Sequence, residues 1–441
     1  MKNITLQPCL PKTYTYEITD KLQVSIRLSN NVLAVPPEAL FSMAARKNPK
    51  RSFLFVSKLL GKHLPVNPYI SLLAGAALAL CYANLNSGSI SKYSAAVAEA
   101  FNNPEKAAQV FQLINPIKLS DETLFIGFAE TATALGHAMF NSFTGKAYYI
   151  HTTREVISGH ASTLNFAEEH SHAVSHYCYL DFPILQEIKT VVLVDDEITT
   201  GKTALNIIRE CFRKFGCRDY VVATLLDWRS AAAQGAFASL ETELQIRIRT
   251  VALLQGLIEV SDQGTVPADD LCTNDLAKEL PQWQKIYFSE PLEPGQAGPV
   301  TARLGINTSD KVRLEALAAK IGSVLRAKRA GQKILCVGTG EFMYLPMRIA
   351  SLMGPGVCYQ STTRSPIYPY NKAGYAAQNG CVFVSPDDPE VHNYLYNVPL
   401  GYYDELYLFL ERDFSDARLA SMLGALSQLG IARLYLVICG K

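Results

Sequence analysis

Val191-Val192-Leu193-Val194-Asp195-Asp196-Glu197-Ile198-Thr199-Thr200-Gly201-Lys202-Thr203 is the most informative segment of the chain. Its first four residues form a continuous apolar run, the pattern of a strand buried on both faces. The run ends on acids and turns through Thr199 to Thr203 into ALNIIRECFRKFG, a helical pattern closed by Gly216. The flanking sequence repeats this alternation. LFIGF, residues 124–128, is a short apolar strand ending at Gly127, and AETATALGHAMF follows with helical spacing. AYYIHTT, 147–153, and YVVATLLDW, 220–228, are further strands. Strands that alternate with helices and lack a polar face predict an α/β fold with a parallel sheet of the doubly wound type.

Such sheets bind ligands beyond the carboxyl ends of their strands, where Asp195 and Asp196 stand. The backbone N–H groups of Thr199 to Thr203, at the positive end of a helix dipole, suit a phosphate monoester. The three threonine hydroxyls add donors, and Gly201 permits close approach. Each hydrogen bond to a charged phosphate contributes about 1.5–3 kcal/mol. A carboxylate only accepts, so the paired acids suit the hydroxyls of a ribose rather than the phosphate. A P-loop ending at Gly201-Lys202-Thr203 would need glycine at position 196, where Asp196 stands. A solvated turn or a metal site is the other reading of an acid pair at a strand end. The whole pattern resembles the phosphoribosyl pyrophosphate (PRPP) motif of type I phosphoribosyltransferases. The resemblance implies that Asp195 and Asp196 contact the ribose hydroxyls while Thr199, Thr200, Gly201, Lys202 and Thr203 hold the 5-phosphate. It also implies Mg2+, bound mainly through pyrophosphate and ribose oxygens and touched by Asp195 and Asp196 only indirectly. Lys202 departs from the small or uncharged residue common there; reaching the phosphate and facing solvent both fit it.

Gly127-Phe128-Ala129-Glu130-Thr131 ends one strand and opens a helix. A tight glycine turn exposes backbone donors of the kind a pyrophosphate needs, and type I enzymes hold pyrophosphate on such a loop. Six of the eight histidines fall between His137 and His176. The string Glu168-Glu169-His170-Ser171-His172 is too polar for a core helix. Its place between two sheet strands matches the mobile loop that closes over PRPP in that superfamily, where a lid excludes water. Arg154, Glu168, Glu169, His170 and His172 are therefore the candidate catalytic set, with Arg154 and the imidazoles meeting the leaving pyrophosphate. Structural zinc on His170 and His172, or a plain surface loop, are the rival readings.

Composition limits the classes. Hydrophobic residues make up 49% of the 441 and net charge is +1, which points to packed cores and away from nucleic acid or a membrane surface. Ten cysteines without a C-x-x-C pair read as buried thiols of a reducing compartment. With no signal-peptide pattern at the N-terminus, a cytoplasmic location is expected. Residues 13–35 alternate as a hairpin; helices are expected over 70–85, 91–101 and 104–113, and additional strands over 244–260. SEPLEPGQAGPV, 289–300, is the linker candidate, dividing residues 1–290 from a second α/β domain over 300–441 that opens on a helix near 309–329.

IGFAETATALGHAMF, HTTRE, NFAEEHSHA and VDDEITTGKT, with Thr363-Arg364-Ser365-Pro366 near the C-terminus, together resemble one family. It is the phosphoribosyltransferases of bacterial tellurium-resistance and stress operons, whose second domain is named for the TRSP string. The resemblance runs from about Ala34 to the end. It implies a type I phosphoribosyltransferase-like parallel sheet with flanking helices and a hood, followed by the TRSP-type domain. It implies PRPP and a base-like nitrogen acceptor as partners in making a nucleoside-like compound, or the reverse pyrophosphorolysis. A homodimer and contacts with other operon products are compatible with it. Lys58, Lys62 and His63 would line the acceptor pocket as part of the hood, with solvent exposure as the alternative for the lysines. A PRPP sensor without turnover, or a scaffold, are the competing functions.

The second domain echoes the first. ILCVGTGE mirrors LFIGFAE and CYQSTTRSP mirrors YYIHTTRE, with 27 residues from Gly127 to Arg154 and 26 from Gly338 to Arg364. LYLFLERDFSD stands where VVLVDDEITTG does, without the threonine loop. A degenerate copy of the first unit and two generic strand–glycine–helix units both fit.

Overall fold

The alternating N-terminus forms a hairpin, β1 (Thr13–Thr19) and β2 (Leu22–Asn31), and buries Leu22, Val24 and Ile26. The computed structural model describes residues 12–48, 51–167, 175–180, 185–262, 264, 282–288 and 300–440. After the short helix α1 (Pro37–Leu40), β3 (Phe41–Ala45) and β4 (Phe53–Ser57) make a second hairpin. Helices α2 (Pro68–Ser87), α3 (Ser94–Asn102) and α4 (Ala107–Leu113) follow. Next come β5 (Ile117–Gly127), α5 (Ala132–Asn141), β6 (Phe143–His151) and a small hairpin of β7 (Leu164–Ala167) and β8 (Ser175–Cys178). The unit ends with β9 (Thr190–Ile198), α6 (Lys202–Phe215), β10 (Asp219–Asp227), α7 (Ala231–Leu244) and β11 (Arg247–Asp262). Residues 244–260 thus hold one long strand rather than several; a register shift at Gln255/Gly256 lets it follow β2 through to Asp262.

In the first sheet β11, β10, β9, β5 and β6 run parallel in that order; β2 adds antiparallel to β11, and β1 antiparallel to β2. Val191 to Val194 of β9 are completely buried, as a central strand covered on both faces must be. Helix α2 is long and apolar enough to cross a membrane, but 78% of its apolar window is buried, packed on α5. It serves as a core helix, and Asn67 caps it by accepting from the Tyr69 N–H.

A second sheet has the order β12 (Gln282–Tyr287), β19 (Arg433–Ile438), β18 (Glu405–Leu410), β14 (Ile334–Gly338), β15 (Val357–Ser361), all parallel. β12 precedes the expected 289–300 linker, yet it pairs with β19 and belongs to the second sheet. The linker itself, at 289–299, lies outside the described residues. Between β14 and β15 lies α9 (Tyr344–Leu352), between β18 and β19 lies α10 (Asp416–Ser427), and β16 (Gly380–Val384) with β17 (His392–Tyr396) forms a hairpin. Helix α8 (Thr308–Lys328) precedes β14 and follows the two-residue strand β13 (Ile306–Asn307).

The two units share one plan. β5–α5–β6, the β7–β8 hairpin and β9–α6–β10 correspond in order and direction to β14–α9–β15, the β16–β17 hairpin and β18–α10–β19. Local contacts repeat as well. The Ala129 N–H donates to Thr152 Oγ1 at 2.8 Å, and the Gly340 N–H to Thr362 Oγ1 at 2.9 Å. Tyr149 Oη donates to the Thr133 carbonyl, Tyr359 Oη to that of Met343. Each unit also lends its leading segment to the other sheet: Ile306 pairs with Tyr149 on the edge of β6, and Val66 with Tyr359 on the edge of β15. One apolar cluster joins Leu72, Ala134 and Ala138 to Met343, Tyr344 and Met347 across the boundary. The ring of His137 stacks on that of Tyr344 with centroids 3.6 Å apart.

Candidate active site

A cavity of about 390 Å³ opens beyond the carboxyl ends of β5 and β9. It is lined by Phe128 to Thr131, Arg154, Asp195 to Ala204, residues of the β3–β4 hairpin and the following loop, and Thr363, Arg364 and Ser365 of the second unit. The predicted phosphate, ribose and pyrophosphate groups therefore meet in one place.

The phosphate end is the start of α6. Gly201 holds φ +71°, and a Cβ there would sit 2.4 Å from the Phe237 ring, so the turn into the helix needs glycine twice over. Thr199, Thr200, Lys202 and Thr203 line the cavity around it, with the Lys202 side chain largely exposed. At the ribose end Asp195 Oδ1 accepts the Asp196 N–H at 2.9 Å. Burial, aided by the charge of Glu197, pushes the Asp196 carboxyl up to about 6. Glu197 was not among the expected site residues. It lines the cavity and pairs with Arg51 Nη2 at 2.5 Å, which anchors the β3–β4 hairpin over the acids.

The end expected to meet pyrophosphate is the Gly127 loop, whose Ala129–Glu130 peptide is cis. The Phe128 and Ala129 N–H groups are taken by the Val194 carbonyl and by Thr152. Among the described residues nothing accepts from the N–H of Glu130 or Thr131. A Cβ on Gly127 would lie 2.6 Å from Tyr149 Oη and 2.7 Å from the Ala132 carbonyl. Gly127→Ala should therefore displace the loop and cost about 1–3 kcal/mol of stability, read from urea unfolding; an unchanged midpoint would count against the tight turn.

Glu130 is buried and organises cations rather than facing the cavity as a lone acid. Its carboxylate is ion-paired to Lys62, and its Oε2 lies 3.9 Å from Arg154 Nη1 and 3.7 Å from Arg364 Nε. Three cations around one carboxylate leave this end positive, while Asp195, Asp196 and Glu197 make the other end acidic. Lys62 is nearly fully buried; burial lowers its pKa, Glu130 opposes that, and its ammonium also donates to the Thr362 carbonyl at 2.7 Å. It thus sits beside the Gly127 loop, not on an exposed hood face. His63 does line the cavity, and burial with Lys62 and Arg46 nearby holds its imidazole down at about 3, neutral at pH 7. Lys58 is not part of the cavity lining: its ammonium donates to the Glu38 carbonyl. Glu168, Glu169, His170 and His172 lie outside the described residues.

The equivalent place in the second unit has closed to about 20 Å³. There Arg303 pairs with Glu411 and reaches Glu341 Oε2 at 3.3 Å and Glu155 Oε1 at 3.5 Å. Glu341 also accepts from Thr153 Oγ1 at 2.6 Å and the Arg154 N–H at 2.9 Å, both in the first unit. Lys62 and Arg303 are counterparts: Gly61 and Ala302, just before them, bond the Ser361 and His151 N–H groups at the two sheet edges.

Fold and site define an α/β protein of phosphoribosyltransferase type. A family model described as phosphoribosyl transferase matches residues 40–257, and one described as the TRSP domain C-terminal to it matches 300–426. The chain belongs to the family in which these two domains follow one another. No curated protein matches it in sequence. Among solved structures it is similar to adenine phosphoribosyltransferase from Trypanosoma brucei in complex with AMP, pyrophosphate and ribose-5-phosphate. That match has 18% identity, covers 35% of this chain and 68% of that one, and has TM-score 0.24. It is also similar to the Rhodothermus marinus enzyme, at 17% identity, 51% and 98% coverage and TM-score 0.27. The Giardia lamblia enzyme with 9-deazaadenine gives 16% identity, 35% and 83% coverage and TM-score 0.23.

Proposed function

We propose that the chain transfers a 5-phosphoribosyl group between PRPP and a nitrogen atom of a base-like acceptor, or runs the reverse pyrophosphorolysis. The observation that carries this reading is one cavity holding the Asp195–Asp196 pair, the threonine turn into α6 and the Gly127 loop. The 5-phosphate sits on the α6 N-terminus, and the acids accept from the ribose hydroxyls. The acceptor nitrogen bonds to the anomeric carbon as the carbon–oxygen bond to pyrophosphate breaks; pyrophosphate leaves with that electron pair and the acceptor loses its N–H proton. Arg154 and the N–H groups of Glu130 and Thr131 meet the charge that develops on the leaving group. Most of the acceleration then comes from holding the two reactants in line.

The acids also fit the metal. Magnesium keeps several oxygen ligands from substrate and water and needs only one or two carboxylates nearby. Asp195 and Asp196 would approach it through the ribose hydroxyls, and it would offset charge on the pyrophosphate. The acceptor would enter beside Phe55 and His63 under the β3–β4 hairpin. A stress- or tellurium-linked nucleoside-like product is the part of this reading that rests on the family resemblance; a cytoplasmic location rests on the scattered cysteines.

The test is pyrophosphate release from PRPP and magnesium with a panel of purine, pyrimidine and smaller nitrogen heterocycles. At least one acceptor should give stoichiometric pyrophosphate and a ribosylated product. Tight PRPP binding without release for any acceptor would favour a sensor instead.

A further inference from the structure

The second unit bears the TRSP string, and its own pocket is filled by Arg303 and Glu411, yet Thr363, Arg364 and Ser365 line the first unit's cavity, with Arg364 bordering both pockets. Arg364 stands in its unit where Arg154 stands in the first, two residues beyond the threonine that ties down the glycine loop. The two arginines approach the same oxygen of Glu130 from opposite units, at 3.7 Å and 3.9 Å. Neither distance is a hydrogen bond, so Glu130 orients the Arg364 guanidinium without saturating it. Arg364 Nε is shielded from solvent and has no hydrogen-bond partner among the described residues.

Its backbone is fixed. Thr363 pairs with Tyr394 on the β16–β17 hairpin, Thr363 Oγ1 accepts the Ser365 N–H at 3.1 Å, and the Ser365 carbonyl accepts from Tyr396 Oη at 3.1 Å. The Lys62 ammonium, itself paired to Glu130, bonds the Thr362 carbonyl just before it. A planar cation held on a rigid turn, with donor capacity left over and a second arginine beside it, is built for a multiply charged phosphate anion.

We propose that Arg364 is a pyrophosphate-binding residue of the first unit's site, so that the C-terminal domain completes a binding site it no longer has for itself. This rests on the phosphoribosyltransferase reading above, which places pyrophosphate at the Gly127 loop. Arg364 and Arg154 then grip the anion from two sides, with Glu130 spacing them. The threonine loop and the acids, on the far side of the cavity, do not depend on Arg364.

Calorimetric titration of the full chain with magnesium pyrophosphate and, separately, with ribose 5-phosphate tests the assignment. Arg364→Gln should weaken pyrophosphate at least tenfold and leave ribose 5-phosphate within twofold, and Arg364→Lys should restore part of the loss. Equal affinities of Arg364→Gln and the parent for pyrophosphate would overturn the role of Arg364 while leaving the transferase reading in place. Parallel loss of both ligands would mean distortion of the fold and would also overturn it. A parent protein that binds neither ligand would remove the transferase reading and this inference together.

Discussion

Asp195→Asn combined with Asp196→Asn should abolish ribose 5-phosphate and PRPP binding, a loss of at least a hundredfold, with the fold intact. The amide keeps the volume but removes the charge and one of the two acceptor oxygens, so the ribose hydroxyls lose their charged acceptors. Two lost charge-assisted hydrogen bonds, at about 1.5–3 kcal/mol each, account for the size of the effect. Relief of repulsion among Asp195, Asp196 and Glu197 favours the folded variant, so its melting temperature should not fall. The Asp196 carboxyl lies at about 6, and only its ionised form is a pure acceptor. Ribose 5-phosphate affinity should accordingly fall as the pH drops through about 6, and the Asp196→Asn single variant should show a shallower fall, keeping only the part due to the ligand's own phosphate, which titrates at about 6 as well. Unchanged calorimetric affinity in the double variant would remove the ribose site from these acids.

Glu341→Gln should destabilise the whole chain by about 3 kcal/mol, near the lower end of the cost of breaking a buried pair. Glu341 is buried against Arg303 and accepts from two groups of the other unit, so its loss strikes both halves at once. Burial alone would raise its pKa; Arg303, His151, Thr153 and the Arg154 N–H bring it down from 4.5 to about 2. A glutamate held below its unfolded value stabilises the fold above about pH 4.5, and the contribution is lost as pH falls toward 2. The gap between parent and variant should therefore be full at pH 7 and narrower at pH 3, read from urea midpoints. Arg303 keeps Glu411 in the variant, which holds the cost near 3 rather than about 5 kcal/mol. A gap that stays constant across that range would separate Glu341 from the stability of the pair.

What the sequence made legible follows from local chemistry. β9 is apolar because it is central, the acids end it because the sheet edge is wet, and Gly201 stands where φ is positive. The paired strings around Gly127 and Gly338 are readable as an echo because the same turns and tyrosines recur, and the four corresponding strands of the two sheets stand in the same order. Contacts made by packing one unit on the other were not readable. Nothing in the hydrophobic pattern brings Arg364 to Glu130, buries Lys62, or turns Lys58 away to the Glu38 carbonyl. Glu197 was passed over beside two more conspicuous acids, though an arginine in the hairpin that folds over the sheet, Arg51, was a usable signal. β12 was assigned to the wrong side of the linker because parallel pairing with β19 leaves no mark on local sequence.

Lys62 and Arg303, each sent from one unit to the edge of the other, make the junction a property of a single molecule. A site completed by a separate subunit empties on dilution, as the partners part. On the role proposed for Arg364, the tether sets a fixed effective concentration of that side chain at the cavity, so completion is unimolecular. Activity per molecule should stay constant from micromolar to nanomolar protein. On the same role, the second unit has no need of a substrate pocket of its own, and Arg303 can occupy that place beside Glu411.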